Sequence, residues 1–438
     1  MTNTLIECII PVVESEFIMT NIELKQLRER LGLTQSQAAA LIYSSTRAWQ
    51  QWESGERQMS RALCELFVIK TCKQKRESRT MSFVEPSITL RDLKQNHQEL
   101  AETTHRSEQA SVGSSDIKFI DLFAGVGGIR MAFERAGASC IFSSEIDIHA
   151  QLTYFSNHGT VPYGDITKIE ATSIPSHDIL CAGFPCQPFS HIGRREGFKH
   201  PTQGTMFHEI VRIVEEKRPT VLFLENVPGI VNHDGGNTLN IILETLVGLG
   251  YECNHTILNA SDFGVPQNRK RFYLVAFKGK NFDFEFPLPT MKKSNIGDFL
   301  EQDASGYSIS AHLQKAYLFK KDDGRPILID QRTKGPMKTL VSSYHKIQRL
   351  TGTFVKDGET GIRLLTANEC KRAMGFPDDF KFPVSRTQMY RQMGNSVVIT
   401  VINEIAKKII TTLSAESRIA ASSKPKQNKA QPSLEAAL

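Results

Sequence analysis

An apolar run that empties into a cluster of glycines and then into a helix sets the architecture of most of this 438-residue chain. The run is Phe119-Ile-Asp-Leu-Phe-Ala-Gly-Val-Gly-Gly128, with a helix expected from Ile129. It reads as a buried strand, and its glycines let the backbone turn sharply and approach a ligand. The helix start adds free amide hydrogens and the positive end of a dipole. From Lys118 to about Thr412, β-branched runs go on alternating with amphipathic helical stretches. That alternation predicts an α/β domain.

Acids stand at the ends of two further strands. Glu145 closes IFSSEID about 20 residues after the glycines, where a carboxylate suits ribose hydroxyls, and Asp165 in YGDI suits an adenine amino group. Three such strand ends suggest an adenosine-containing cofactor. In Asp178-Ile-Leu-Cys-Ala-Gly-Phe-Pro-Cys-Gln-Pro-Phe-Ser190, Gly-Phe-Pro breaks the ladder and exposes Cys186 on a loop at the carboxyl edge of the sheet. The strand Val221–Val227 delivers Glu225 and Asn226 at its end, and Arg269 and Arg271 lead into the strand FYLVAF. A thiol, a carboxylic acid and paired arginines on three loops can serve as nucleophile, acid and oxygen binder.

Composition narrows the class. Forty per cent hydrophobic and 23% charged residues fit a soluble globular protein and exclude collagen, coiled coil and wholesale disorder. A net charge of +6 is compatible with a nucleic-acid partner. Eight irregularly spaced cysteines without a CxxC pair read as reduced thiols, so a cytoplasmic location is expected, with no membrane span and no signal peptide. The expected organisation is a flexible extension over 1–18, a helical domain over 19–77, a polar linker over 78–115, the catalytic domain over 116–279 and 361–412, an intervening segment over 280–360, and a disordered tail over 413–438.

The helical domain places Asn21 as cap of IELKQLRERLG, Thr34 as cap of TQSQAAALI, and a short turn before TRAWQQWESG, which Gly55 stops. LRERLGLTQSQAA followed by WQQWESGER resembles the phage-repressor and control-protein helix-turn-helix family. The resemblance implies a third helix in the major groove, with Thr46, Arg47 and Gln51 toward bases or phosphates. Residues 19–80 carry 11 Lys or Arg against 6 Asp or Glu, in keeping with DNA binding. The alternative is a helical packing domain whose arginines are merely solvated.

DLFAGVGG, GFPCQPFS, ENV, QNRKR, RLLTANECKRAMGFP and QMGNSV stand in the order found in bacterial DNA (cytosine-5) methyltransferases, which the chain resembles over 118 to about 410. The resemblance implies a Rossmann-like domain dependent on S-adenosylmethionine, a small irregular target-recognition domain, and no metal. It implies that Cys186 adds to C6 of a flipped cytosine while Glu225, with a raised pKa, shares a proton with N3. Arg271 would bind the base O2 and steady Glu225, and Arg269 would lie on the phosphate side. Phe123, Ala124, Gly125, Val126, Gly127 and Gly128 would hold the cofactor with Glu145 at the ribose and Asp165 and Ile166 at the adenine edge. Gly183, Pro185 and Met206 would line the methionine end, and Asn395 and Ser396 would complete the pocket. Ile146 stands where relatives often carry Trp, so stacking on that side is lost.

Within the target-recognition segment, residues 332–349 hold five Lys or Arg and no acid, a phosphate-contacting pattern. Lys338, Thr339 and Lys346 are the expected DNA contacts there, Thr339-Leu340 resembling a Thr-Leu pair that sits near the target base in relatives. The partners implied are double-stranded DNA, as target site and as a candidate operator for autorepression in a restriction-modification system. A cognate endonuclease acting on the same site without stable complex, and a dimer formed through the helix-turn-helix, are further candidates. Two alternatives are a regulator with a vestigial methyltransferase half and an RNA cytosine-5 methyltransferase. The intact Cys186, Glu225 and Arg271 motifs argue against the first, and the missing Cys-Phe-Thr signature against the second. A zinc deaminase would need Pro-Cys-x-x-Cys, whereas Gln-Pro-Phe follows Cys186.

Overall fold

A computed structural model describes residues 20–30, 33–42, 44–60, 63–64, 67, 88–111, 117–185, 206–279, 282–290, 293–302 and 304–422. The chain divides into two compact units, Met1–Pro86 and Ser87–Leu438.

In the first unit three short helices, α1 (Asn21–Arg30), α2 (Gln35–Leu41) and α3 (Thr46–Ser54), pack around Leu24, Ala38, Trp49 and Phe67. Each start is satisfied locally. Thr20, one residue ahead of the expected Asn21, forms a reciprocal box with Glu23, its amide donating to the Glu23 carboxylate at 2.8 Å. Thr34 accepts from the Gln37 amide, Ser45 accepts from the Ala48 amide, and Gly55 ends α3 at φ 79°. Glu53 joins the helices by accepting from Arg28, from Gln35 Nε2 at 2.7 Å and from Trp49 Nε1 at 2.9 Å. Burial opposes its charge, yet these donors hold the carboxyl below the usual range.

The second unit is built on six strands: β1 (Lys118–Leu122), β2 (Ser139–Ser144), β3 (Ile179–Gly183), β4 (Val221–Asn226), β5 (Tyr251–Asn259) and β6 (Lys270–Lys278). Their spatial order is β2-β1-β3-β4-β6-β5, parallel from β2 to β4, with β6 antiparallel to both neighbours. β3 and β4 are buried almost throughout, which explains their continuous apolar runs. Helices α5 (Gly128–Arg135), α6 (Ile148–His158), α7 (Met206–Lys217) and α8 (Asn237–Gly248) follow β1 to β4 in turn.

The stretch 78–115 is not simply a linker, because residues Leu90–Ser111 form a 22-residue helix, α4, bent at Asn96. Thr89 and Asp92 cap it reciprocally. Leu93 and Ala101 bury against Leu152, Phe155 and Val161. The contact face mixes Leu90, Leu93, Leu100 and Ala101 with His97, Thr104 and His105, so the apolar periodicity is interrupted.

Beyond β6 the strands shrink to three residues, β7 (Ile327–Ile329) and β8 (Thr353–Val355), paired in parallel. The chain then forms α9 (Ala367–Met374), α10 (Arg386–Asn395) and α11 (Ile399–Ser422), the last packing on α5. The expected disordered tail from 413 is corrected in its first part. α11 continues to Ser422 and Leu413 is buried in the main core, because one apolar stripe runs on from Val401 through Ile405 and Ile409. Among the described residues no helix is long and apolar enough to cross a membrane.

Candidate active site

Strand order reverses between β1 and β3, and a crevice at such a point outside the carboxyl ends is where open α/β sheets bind ligands. A cavity of about 670 Å³ lies there. One wall is the turn after β1, where Phe123, Gly125 and Gly127 take φ of 56°, 56° and 84°. Phe123 pays strain for this conformation, since only glycine adopts it freely. Ala124, Gly125, Val126 and Gly128 line the cavity with Phe123. Gly127 lies behind them, where any Cβ would strike His158 and Tyr154. A Cβ on Gly128 would come within 2.8 Å of Val397, so the glycine lets α5 close on the segment Asn395–Val397. Asn395 and Ser396 thereby reach the cavity from 270 residues away in the chain.

The acids occupy the rim. Glu145 accepts from the Gly125 amide at 2.8 Å and the Asp147 amide at 2.7 Å, each oxygen keeping a lone pair for a ligand. Burial raises its pKa. Asp165 accepts from Thr167 Oγ1 at 2.8 Å, which holds its pKa below the usual range. Ile146 stands 71% exposed beside Glu145, and Ile166, Gly183, Pro185 and Met206 complete the expected set. Ser144 also lines the cavity, and its Oγ is buried with no hydrogen-bond partner among the described residues.

β4 and β6 run antiparallel, with Asn226 opposite Phe272, so the end of one strand meets the start of the other. This register brings Glu225 Oε1 within 3.1 Å of Arg271 Nε. Burial raises the Glu225 pKa, and the two arginines oppose that rise. Asn226 Nδ2 donates to the Phe184 carbonyl at 2.9 Å, anchoring the backbone two residues before Cys186. Cys186 itself lies outside the described residues.

Arg269 does not take the expected phosphate-side position. Its guanidinium is buried and donates to the carbonyls of Leu340 and Gly394, each at 2.8 Å, and of Ser396. The loop at Leu340 and the C-terminal end of α10 meet there, and an arginine fork supplies donors for their three carbonyls.

The basic stretch 332–349 divides in the same way. Lys346 is exposed and Lys338 half-buried, whereas Thr339 donates to the Asn268 carbonyl at 2.6 Å. Arg349, the last basic residue of that stretch, is buried and serves as support, donating to the Leu318 and Lys321 carbonyls and to Asp323. In the first unit Thr46 and Arg47 are exposed and Gln51 half-buried. Motif reading missed Gln388, Arg391 and Gln392, which also line the cavity. They share one face of α10, just ahead of the Gly-Asn-Ser signal.

A family model described as C-5 cytosine-specific DNA methylase matches residues 117–411. The chain is 62% identical over 397 residues to Type II methyltransferase M.MspI of Moraxella sp, covering 89% of this chain and 95% of that protein. It is 51% identical over 323 residues to Type II methyltransferase M.BsuFI of Bacillus subtilis, covering 73% and 78%. Two solved structures share the fold. The Entamoeba histolytica methyltransferase EhMeth matches at TM-score 0.56 and 24% identity over 68% of this chain and 98% of that one. A putative DNA modification methyltransferase encoded within an Escherichia coli prophage matches at TM-score 0.53 and 23% identity, over 68% and 99%.

Proposed function

The chain belongs to the C-5 cytosine-specific DNA methylase family, and we propose that it methylates one cytosine, turned out of the duplex, within a short specific site. It is a DNA (cytosine-5) methyltransferase, its substrate is DNA, and S-adenosylmethionine supplies the methyl group. The cavity fits that cosubstrate. It falls within the ordinary size range for such ligands and carries carboxylates at Glu145 and Asp165.

The proposed chemistry rests most on one observation: the Glu225–Arg271 pair, with the anchored Phe184 carbonyl, stands on the rim of the cavity that the glycine turn forms. Cytosine C5 is a weak nucleophile. In our reading the Cys186 thiolate adds to C6, and the ring's new electron density moves toward C5 and N3. Glu225, whose burial favours its protonated form, donates to N3. Arg271 binds the base O2 and orients Glu225. C5 then takes the methyl group, with S-adenosylhomocysteine as the leaving group. Loss of the C5 proton to solvent and expulsion of the Cys186 sulfur would restore the aromatic ring, the N3 proton returning to Glu225. An oligonucleotide carrying 5-fluorocytosine should be trapped on Cys186 when cosubstrate is supplied, since fluorine cannot leave as the proton does. Bisulfite sequencing of DNA from expressing cells should show one methylated cytosine per site; failure of both would overturn the reading.

The segment 280–360 is the proposed target-reading region, with Lys338, Thr339 and Lys346 nearest the DNA. Protection of DNA in a restriction-modification system follows from the Type II relatives, with an endonuclease of the same specificity as counterpart. A second activity rests on the first unit, where exposed Thr46 and Arg47 open α3 after a short turn, as a recognition helix requires. This unit would repress its own promoter, as a dimer where the operator is palindromic. Arg47→Ala should abolish operator retardation and leave methyl transfer intact; equal loss of both would defeat the separation.

A further inference from the structure

Helix α4 lies ahead of the stretch matched to the family, yet it grips the cofactor cavity from behind. It meets three consecutive residues, Val161, Pro162 and Tyr163. Thr104 Oγ1 accepts from the Val161 amide at 2.9 Å, and the His97 Nε2 lies 3.0 Å from the Pro162 carbonyl. The His105 ring lies 4.5 Å from that of Tyr163, which in turn stacks on Phe142 at 4.9 Å. His105 Nε2 also reaches Ser143 Oγ at 3.4 Å. The gripped segment then enters the cavity wall. The Tyr163 carbonyl accepts from the Glu145 amide at 2.8 Å, and Gly164, Asp165 and Ile166 follow directly. One turn further along α4, Glu108 pairs with Arg130 on α5, next to the cavity residue Ile129.

We propose that α4 is a positioning element for the methyl donor, with Thr104 and His105 as positioning residues that hold the 161–166 segment and Glu145 in binding geometry. The inference rests on the reading that this cavity takes S-adenosylmethionine. The grip is made by polar and aromatic contacts at defined atoms, beyond the apolar packing a covering helix needs. Burial pushes the His105 imidazole down to about 4, so it stays neutral and keeps one nitrogen as acceptor at working pH. His97 sits against Gly164, where an added Cβ would lie 3.3 Å from its ring. A side chain at Gly164 would therefore require the His97 ring to give by a few tenths of an ångström.

The test uses the full chain. His105→Ala and Thr104→Val should raise the Kd and KM for S-adenosylmethionine by about tenfold, because small displacements of binding groups carry large penalties. The kcat at saturating cosubstrate should stay within about twofold of the parent. Thr104→Ser, which keeps the acceptor for Val161, should restore the parent values. Gly164→Ala should weaken binding, because the added methyl presses the segment against the His97 ring. Isothermal titration of the parent and of Glu145→Ala runs alongside. If the parent does not bind, or Glu145→Ala binds like the parent, the cavity reading itself fails. If both behave as expected while soluble Thr104→Val binds like the parent, α4 plays no positioning role. A parallel loss of kcat, DNA affinity and melting temperature that Thr104→Ser does not relieve would likewise reduce α4 to a structural cover.

Discussion

The six-stranded sheet and the segment after it satisfy the same demand, partners for buried backbone groups, by opposite means. In the sheet, strands of five to nine residues pair with one another, with one register shift between β1 and β2 at Phe119 and Ile120. Side chains at the strand ends are therefore free to face a ligand. After β6 the strands have three residues each, and buried arginines take over. Arg363 is fully buried and donates to Asp357, to both oxygens of Glu369 and to the carbonyls of Leu364 and Glu301. Arg349 does the same for the turn around Asp323, and Arg269 for the seam between Leu340 and Gly394. The sheet spends backbone on structure and keeps side chains for chemistry; the irregular segment spends charged side chains on structure.

That contrast predicts a split between activity and stability. The largest effect is expected at the sheet edge, where Cys186→Ala should lower methyl transfer by on the order of 10⁴-fold or more, read by tritiated-methyl incorporation. Duplex binding and the unfolding midpoint should stay close to those of the parent. Glu225→Gln should lower kcat by roughly 10²- to 10⁴-fold, as expected for loss of a general acid, again with little change in urea midpoint. If either variant lost stability and activity together, the sheet edge would be structural after all.

Arg363→Met should do the reverse. It strands the buried Glu369 carboxylate and should cost about 3–5 kcal/mol in urea unfolding, with the cosubstrate Kd of the folded fraction unchanged. The smallest effect concerns Asp121, buried in β1 with no partner at hydrogen-bond distance among the described residues. Burial pushes its pKa up to about 8, with the Arg130 backbone amide giving partial relief. The folded chain then holds this proton more tightly than the unfolded chain, so stability falls as pH rises from about 4 toward 8. Asp121→Asn should remove that fall, a difference of about 2 kcal/mol between pH 6 and pH 8. An unchanged pH profile would show that Asp121 ionises without cost.

Much of the site was legible because its residues sit at strand ends marked by local signals. The glycines near 125, Glu145 and Glu225 each follow an apolar strand, and a sheet gathers such ends on one edge; Asp165, expected at a strand end, instead follows a single bridge at Tyr163 and caps a short turn. Arg269 and Arg271 show the limit. They look alike and stand two positions apart, yet one is consumed by three carbonyls and the other faces Glu225. Nothing local separates them, because the difference lies in residues 340, 394 and 396. α4 escaped notice for a related reason: its contact face carries Thr104 and His105, and their partners Val161 and Ser143 are far along the chain.

The order of strands and helices, the glycine turn and the chemical character of each loop were set by local sequence, since they depend on side-chain period and backbone preference within about ten residues. Which arginine faces Glu225 and which one braces, and that α4 backs the wall of the cavity, were decided only on folding. Burial and hydrogen-bond partners are properties of distant segments brought together, and no local pattern encodes them.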